Sequence, residues 1–221
     1  TFRTRSVIGS HEADRETPEF SDLMEFLVIN PSWSVPRSIV VNEYLPQMRG
    51  DRNAAGHLDL IDAAGRTVSR GSVDFGAYSA SSFPYAMRQP PGPRNALGVV
   101  KFMFPNPWNI YLHDTPSKDL FDRDVRAFSH GCIRLADPRD FAFHLLARQT
   151  LDPQGFFESR LGSGQETRVN LELPVPVHLD YRTAFTGARG DLRFRRDVYG
   201  RDGRIWERLA AEGVEATAVE A

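Results

Sequence analysis

"IYLHDTPSKDLFDRDVRAFSHGCIRLADPRDFAFHLLARQT" occupies residues 110–150. It opens on an apolar run that reads as a strand and stops at His113-Asp114. A polar excursion with room for one helical turn comes next, then "HGCIRL", then an amphipathic helix over "DPRDFAFHLLARQT". Asp137 is expected to cap that helix, with Pro138 at its first position and Phe141, Leu145 and Leu146 along one side. Just upstream, "GVVKFMFP" and "WNIYLHD" read as two strands, and Asn106 and Pro107 between them predict a hairpin.

The rest of the chain extends this pattern. Residues 1–9 alternate loosely as a strand. "SDLMEFLVINP" begins with Ser21 as a candidate helix cap and then turns β-rich before Pro31. "RSIVVNEYLPQM" reads as a short helix, and "HLDLIDAAGRTVSRGSVDF" as strand, turn at Gly65, strand. A Ser-, Pro- and Gly-rich loop covers "GAYSASSFPYAMRQPPGPRNALG". "GFFESRLGSGQE" predicts another short helix and "TRVNLELPVPVHLDYRTAF" a return to strands. "LRFRRDVYGRDGRIWERL" predicts strand, turn and terminal helix, with "AAEGVEATAVEA" frayed. Roughly eight short strands with a few helices, and hairpins dominating, give a β-rich α+β fold rather than a doubly wound sheet.

The composition narrows the function. The 221 residues are 41% hydrophobic and 25% charged, with a formal net charge of −2. That length suits one domain with a substantial core, with or without a small added lobe. No basic block stands apart from compensating acids, so nucleic acid is not an expected partner. The apolar runs are too short to cross a bilayer. The six histidines and single cysteine show neither CxxC, HxH nor HExxH spacing, so no metal is expected. No GxSxG elbow and no Gly-rich phosphate loop occur. The chain starts at Thr1 with no visible signal peptide, so it is expected to begin inside a longer precursor.

Cys132 is the only cysteine. A free cysteine serves either as a small buried hydrophobe or as a nucleophile. Gly131 before it lets the backbone approach closely or take a positive φ. A nucleophilic thiol needs a base, because an unperturbed thiol is only a few per cent ionised near neutrality. His130 and His113 both stand near it in sequence, and fifteen residues separate His113 from Ser129. A pairing of His113 with Cys132 must be tertiary; as an isolated "LHD", His113 also reads as a surface-loop residue.

His113, that fifteen-residue interval, then Ser129-His130-Gly131-Cys132 and Arg134 closely resemble the signature of the L,D-transpeptidase catalytic domain, the YkuD type. "NPSWSVPRSIVVNEYLPQM", "FPYAMRQPPGPRNALGVVKFMFPN" and "VPVHLDYRTAF" resemble, in order, the larger cap-bearing members from Gram-negative bacteria. The resemblance implies a YkuD-like fold of mixed and antiparallel strands, spanning 1–221, with an inserted capping lobe at about 42–92. It implies an acyltransferase that cross-links peptidoglycan in the periplasm, tethered to the inner membrane by a segment outside this chain. Its partners would be donor tetrapeptide and acceptor stems, together with cell-wall synthases. A carbapenem would acylate it, and no cofactor is required.

By the same resemblance Cys132 is the nucleophile and His113 the general base, oriented by the backbone carbonyl of Asp114. The amides of Gly131 and Cys132, with His130 nearby, would form the oxyanion hole. Arg134 stands where many members have Asn, and its planar fork suits a stem carboxylate. Tyr85, Arg88 and Asn95 in the loop, together with Tyr111 and Ser129, are further candidates for substrate contacts; Ser129 is also expected to shape the turn. Two other functions share this sequence. Water or a D-amino acid in place of the acceptor amine would give an L,D-carboxypeptidase or an exchange enzyme. A non-catalytic peptidoglycan-binding module would need Cys132 inaccessible, with a raised pKa.

Overall fold

The computed structural model describes residues 2–12 and 14–215. Its strands are β1 (Ser6–Gly9), β2 (Phe20–Ile29), β3 (Trp33–Ser34), β4 (Asp59–Ile61), β5 (Thr67–Val68), β6 (Ala86–Gln89), β7 (Val100–Met103), β8 (Leu112–His113), β9 (Ala127–Ser129), β10 (Ile133–Leu135), β11 (Thr167–Leu179), β12 (Ala184–Thr186) and β13 (Leu192–Phe194). The helices are α1 (Arg37–Ile39), α2 (Leu45–Gly50), α3 (Pro138–Leu146), α4 (Pro153–Gly162) and α5 (Arg201–Ala211). A π-helical turn, Val40–Tyr44, joins α1 to α2. The fold is β-rich α+β, as the alternation of short strands predicts.

A seven-stranded sheet runs β11-β2-β7-β8-β10-β1-β9. It is mixed: β8 pairs parallel with β10 and β1 parallel with β9, while β2, β7 and β11 pair antiparallel. Alternation sorts its residues by face. Val100 and Phe102 of β7 and Ile133 and Leu135 of β10 point into the main core, where α3 and α4 add Leu145, Leu146 and Phe157. The predicted hairpin of β7 and β8 is present. Its loop is longer than a two-residue turn, and Asn106 holds it closed. The Asn106 side-chain amide donates to the carbonyls of Phe104 and Ile110 at 2.6 and 2.7 Å, while its oxygen accepts the amides of Trp108 and Ile110.

Residues 33–89 build a second, four-stranded sheet, β3-β6-β4-β5, over its own core of Leu45, Met48, Leu58, Leu60, Phe75, Phe83 and Met87. The expected helix over "RSIVVNEYLPQM" spans α1, the π turn and α2. Gly65, at φ +77°, makes the turn between β4 and β5.

Two capping expectations fail. Ser21 lies inside β2, and its hydroxyl pairs with His178 Nδ1 across the strand pair at 2.7 Å; the apolar alternation after it extends the strand instead of starting a helix. Asp137 precedes α3 but makes no cap bond, because its carboxylate accepts the Thr4 hydroxyl at 2.8 Å. The terminal helix is present as α5, and residues 216–221 of the expected frayed tail lie outside the described residues.

Candidate active site

Strand register brings the chemistry together. Tyr111, just before β8, is two residues from His113, and Cys132, just before β10, is two from Arg134, so in extended chain each pair shares a side. Arg134 is the in-register neighbour of His113 across the parallel pair, and Lys101 of β7 its in-register neighbour across the antiparallel pair. In-register neighbours point their side chains to the same face. Lys101, Tyr111, His113 and Arg134 therefore share the side away from the main core, and Cys132, which also packs against that core, opens to the same side. All five line a cleft of about 1100 Å³, whose far wall comes from Trp33, Val35, Ile39 and Tyr44 of the second sheet and its helix.

His113 is buried, at 5% exposure. Its Nδ1 donates to the carbonyl of Asp114 at 2.5 Å, which leaves Nε2 as the unprotonated nitrogen. Nε2 has no hydrogen-bond partner among the described residues. The Asp114 carbonyl is itself fixed: the Asp114 carboxylate accepts the Val99 amide at 2.9 Å and pairs with Lys118 Nζ at 2.6 Å. Gly98, at φ +60°, makes room for that carboxylate, since any Cβ there would collide with it. Burial pushes the His113 pKa down to about 4, and the neighbouring Arg134 and Lys101 cations act in the same direction.

Cys132 is half-buried in the turn between β9 and β10. Its thiol points at the Asn109 carbonyl, 3.6 Å away, with Tyr111 beside it. Burial pushes the thiol up to about 11, against the lowering pull of Tyr111, Arg134 and Lys101. A raised pKa is half of what a non-catalytic module would need; the other half, a sealed sulfur, is missing, because Cys132 lines the cleft. Thiol and imidazole are thus both neutral at rest.

The turn is held from within. Ser129 Oγ donates to the Cys132 carbonyl at 2.5 Å and accepts the Gly131 amide at 3.1 Å. Gly131 takes φ +107°, a conformation that favours glycine. Its amide is engaged by Ser129 and does not face the cleft as a free donor, whereas the Cys132 amide has no partner among the described residues. His130 Nε2 meets Glu43 Oε1 at 2.7 Å.

Arg134 lies on the cleft face, with Nε buried and unpartnered. Lys101, which sequence reading passed over, has no ion pair or hydrogen bond among the described residues; burial lowers its pKa. Its signal was a single lysine alternating with the apolar residues of "VVKFMF".

Three expected contacts fall elsewhere. Asn95 is 1% exposed and braces its own loop: its amide donates to the carbonyls of Gln89 and Pro90, and its oxygen accepts the Leu97 amide at 2.8 Å. Tyr85 packs its ring on Tyr78 and Phe83 against the second core. Arg88 is exposed on β6, on the face opposite Met87 and Gln89, and Gln89 rather than Arg88 lines the cleft. Among the described residues no three His, Cys, Asp or Glu side chains gather to hold a metal ion, and no helix is long and apolar enough to cross a membrane.

The sequence matches the L,D-transpeptidase catalytic domain (YkuD) over residues 1–169. It is also similar to a Haemophilus influenzae protein named "Putative L,D-transpeptidase", at 33% identity over 210 residues, which is 92% of this chain and 41% of that protein. The chain thus spans about two fifths of the length of the curated relative it matches. With a buried histidine and a lone cysteine lining one cleft beside a mixed sheet, and a family match over most of its length, the chain belongs to the L,D-transpeptidase catalytic-domain family.

Proposed function

We propose that this chain is a peptidoglycan L,D-transpeptidase in which Cys132 is the nucleophile and His113 the general base. The observation that carries it is the shared cleft face of Cys132 and His113, with His113 Nδ1 tied to the Asp114 carbonyl at 2.5 Å. That tie leaves Nε2 free to accept a proton. With both groups neutral at rest, the thiol proton passes to Nε2 as sulfur attacks the carbonyl of the L-to-D bond in a donor tetrapeptide stem. The S–C bond forms and the C–N bond breaks. His113 gives the proton to the departing amine of D-Ala, and a thioester remains. The side-chain amine of an acceptor stem then loses a proton to Nε2, attacks the thioester, and displaces Cys132, which regains the proton.

The developing oxyanion is stabilised by the Cys132 amide and the Tyr111 hydroxyl beside the sulfur; one such donor lowers the barrier by roughly 3 kcal/mol. Gly131 supplies the backbone conformation of the turn, with its amide spent on Ser129. Residues 33–89 act as a capping lobe over the donor stem, shielding the thioester from water. The setting is the periplasm, where the acceptor stems are, and a carbapenem acylates Cys132 by the same attack.

Defined disaccharide tetrapeptides and mass spectrometry of the products test this. Cross-linked dimers are expected from the wild-type chain and none from Cys132→Ala. Tripeptide alone would make the chain an L,D-carboxypeptidase, and cross-links surviving Cys132→Ala would remove the sulfur from the mechanism.

A further inference from the structure

Two cations in the cleft have no anion. Arg134 and Lys101 make no ion pair and no hydrogen bond among the described residues, and Arg134 Nε is buried without an acceptor. Burial lowers the pKa of both. The carboxylate acting on Lys101 is Glu166, already held by the Ser32 hydroxyl and amide; none acts on Arg134, and an ionised Cys132 would act on both. A buried charge is costly unless paired, so two of them flanking one imidazole, with open hydrogen-bonding positions, mark a place for an incoming anion.

Their placement says which anion. Lys101 and Arg134 are the in-register neighbours of His113 on its two sides. His113 must return its proton to the departing amine, so that nitrogen ends beside Nε2. In an α-amino acid the carboxyl carbon lies only about 2.5 Å from its nitrogen, by standard backbone dimensions. A free carboxylate on the departing residue therefore falls between the two cations. The donor's other carboxylates belong to the acyl half, which stays on the sulfur.

We propose that Lys101 and Arg134 together form a subsite for the C-terminal carboxylate of the residue that leaves. This rests on the reaction proposed above and adds its selectivity. The chain would take donors ending in a free carboxylate one residue past the attacked bond. It would discriminate against donors in which that carboxylate is amidated or continued by a further peptide bond. Arg134 supplies a planar fork and Lys101 a mobile point charge.

Calorimetric titration in a Cys132→Ala background, where nothing turns over, tests the subsite apart from the chemistry. The probes are a disaccharide tetrapeptide and its C-terminal carboxamide. The free acid is expected to bind about 30-fold more tightly, the order of a charge-assisted pair in a partly dry cleft. Adding Lys101→Gln or Arg134→Gln should bring that ratio to within about threefold, the amide's own affinity changing little. A retained melting temperature and an unchanged amide affinity show that the variants are folded. Equal binding of acid and amide, or a preference that survives both substitutions, overturns the subsite. If the preference holds while the wild-type chain releases no D-Ala, the subsite stands and the proposed reaction falls.

Discussion

Glu43 Oε1 accepts a hydrogen bond from His130 Nε2 at 2.7 Å, joining residues 87 positions apart in the chain. Glu43 lies on the π turn of the second core, and His130 in the turn that carries Cys132. Arg15 holds the same carboxylate oxygen at 2.8 Å. One acidic side chain thus ties the second sheet's helix to the amino-terminal segment and to the cysteine turn. A π turn adds a residue to a helical turn and rotates the next turn of helix about the axis, a feature frequent at functional sites.

Replacing Glu43 with Ala should loosen that tie without unfolding either core. All three partners are about one-third exposed, so the cost to global stability is about 1 kcal/mol or less. The larger effect is local. Hydrogen exchange over residues 37–50 and alkylation of Cys132 should both speed up several-fold, because opening that contact uncovers the cleft. Unchanged exchange over 37–50 would show that the apolar wall of the cleft, rather than Glu43, holds the two parts together.

Acid should destabilise the protein through His113. Its folded pKa is about 4 against an ordinary 6.5. The unfolded chain therefore takes up the proton first as the pH drops, and stability is lost between about 6.5 and 4, by about 3 kcal/mol in all. Above that window the contribution is complete. His113→Asn should flatten this part of the profile, measured by denaturant unfolding at pH 7 and pH 4.5. An equal acid loss in wild type and variant would mean that the imidazole is better hydrated than its 5% exposure implies.

The thiol gives the opposite limb. With Cys132 pushed up to about 11, alkylation by iodoacetamide in the absence of substrate should be slow at pH 7. It should rise about tenfold per pH unit until close to that value, since the thiolate is the reacting form. A plateau already reached near neutrality would replace the neutral pair with a thiolate–imidazolium pair. The expectation comes from burial, so Glu43→Ala should move the curve to lower pH.

Much of this was legible beforehand, for identifiable reasons. Alternation in "GVVKFMFP" and "IYLHD" marked the two strands, whereas the pairing of His113 with Cys132 came from the family resemblance, because spacing alone leaves it a tertiary contact. The loop residues were misassigned because polar side chains near a cleft can serve either a ligand or the backbone, and pattern does not separate the two. Asn95 went to the backbone: a tight loop with proline at positions 90, 91 and 93 leaves carbonyls that need donors. Tyr85 was claimed by a second core whose members, from Val35 to Met87, become neighbours only on folding. Glu43 could not be found at all, since its partner lies 87 residues away and no local signal marks a π turn.

That bracing role makes Asn95 a position where stability and catalysis separate. Asn95→Ala deletes one acceptor and two donor bonds in a site only 1% exposed, leaving the Pro90 carbonyl and Leu97 amide without their partners. The expected cost is about 2–3 kcal/mol. Because Asn95 does not line the cleft, the KM for a donor stem should stay within about twofold below the melting transition.

Beyond residue 169, where the family match ends, the chain still reaches the site. The hydroxyl of Tyr199, which is 5% exposed, donates to the Gly9 carbonyl at 2.9 Å and accepts the Thr17 amide at 3.2 Å. Thr17 Oγ1 in turn accepts the Gly9 amide and donates to the Gly131 carbonyl at 2.8 Å. The carboxyl-terminal segment is therefore linked through two hydroxyls to the peptide immediately before Cys132. Tyr199→Phe keeps the ring stacked on Tyr181, 5.1 Å between centroids, and removes only the hydroxyl. It should cost about 1–2 kcal/mol in stability, because a buried carbonyl and amide lose their partner. Thr17→Val acts one bond closer. It frees the Gly131 carbonyl, and with it the direction of the Cys132 amide, so acylation of Cys132 should slow about tenfold while donor affinity holds. If Thr17→Val instead weakens binding and leaves the acylation step untouched, the bond to Gly131 orients the cleft wall and not the attacking residue.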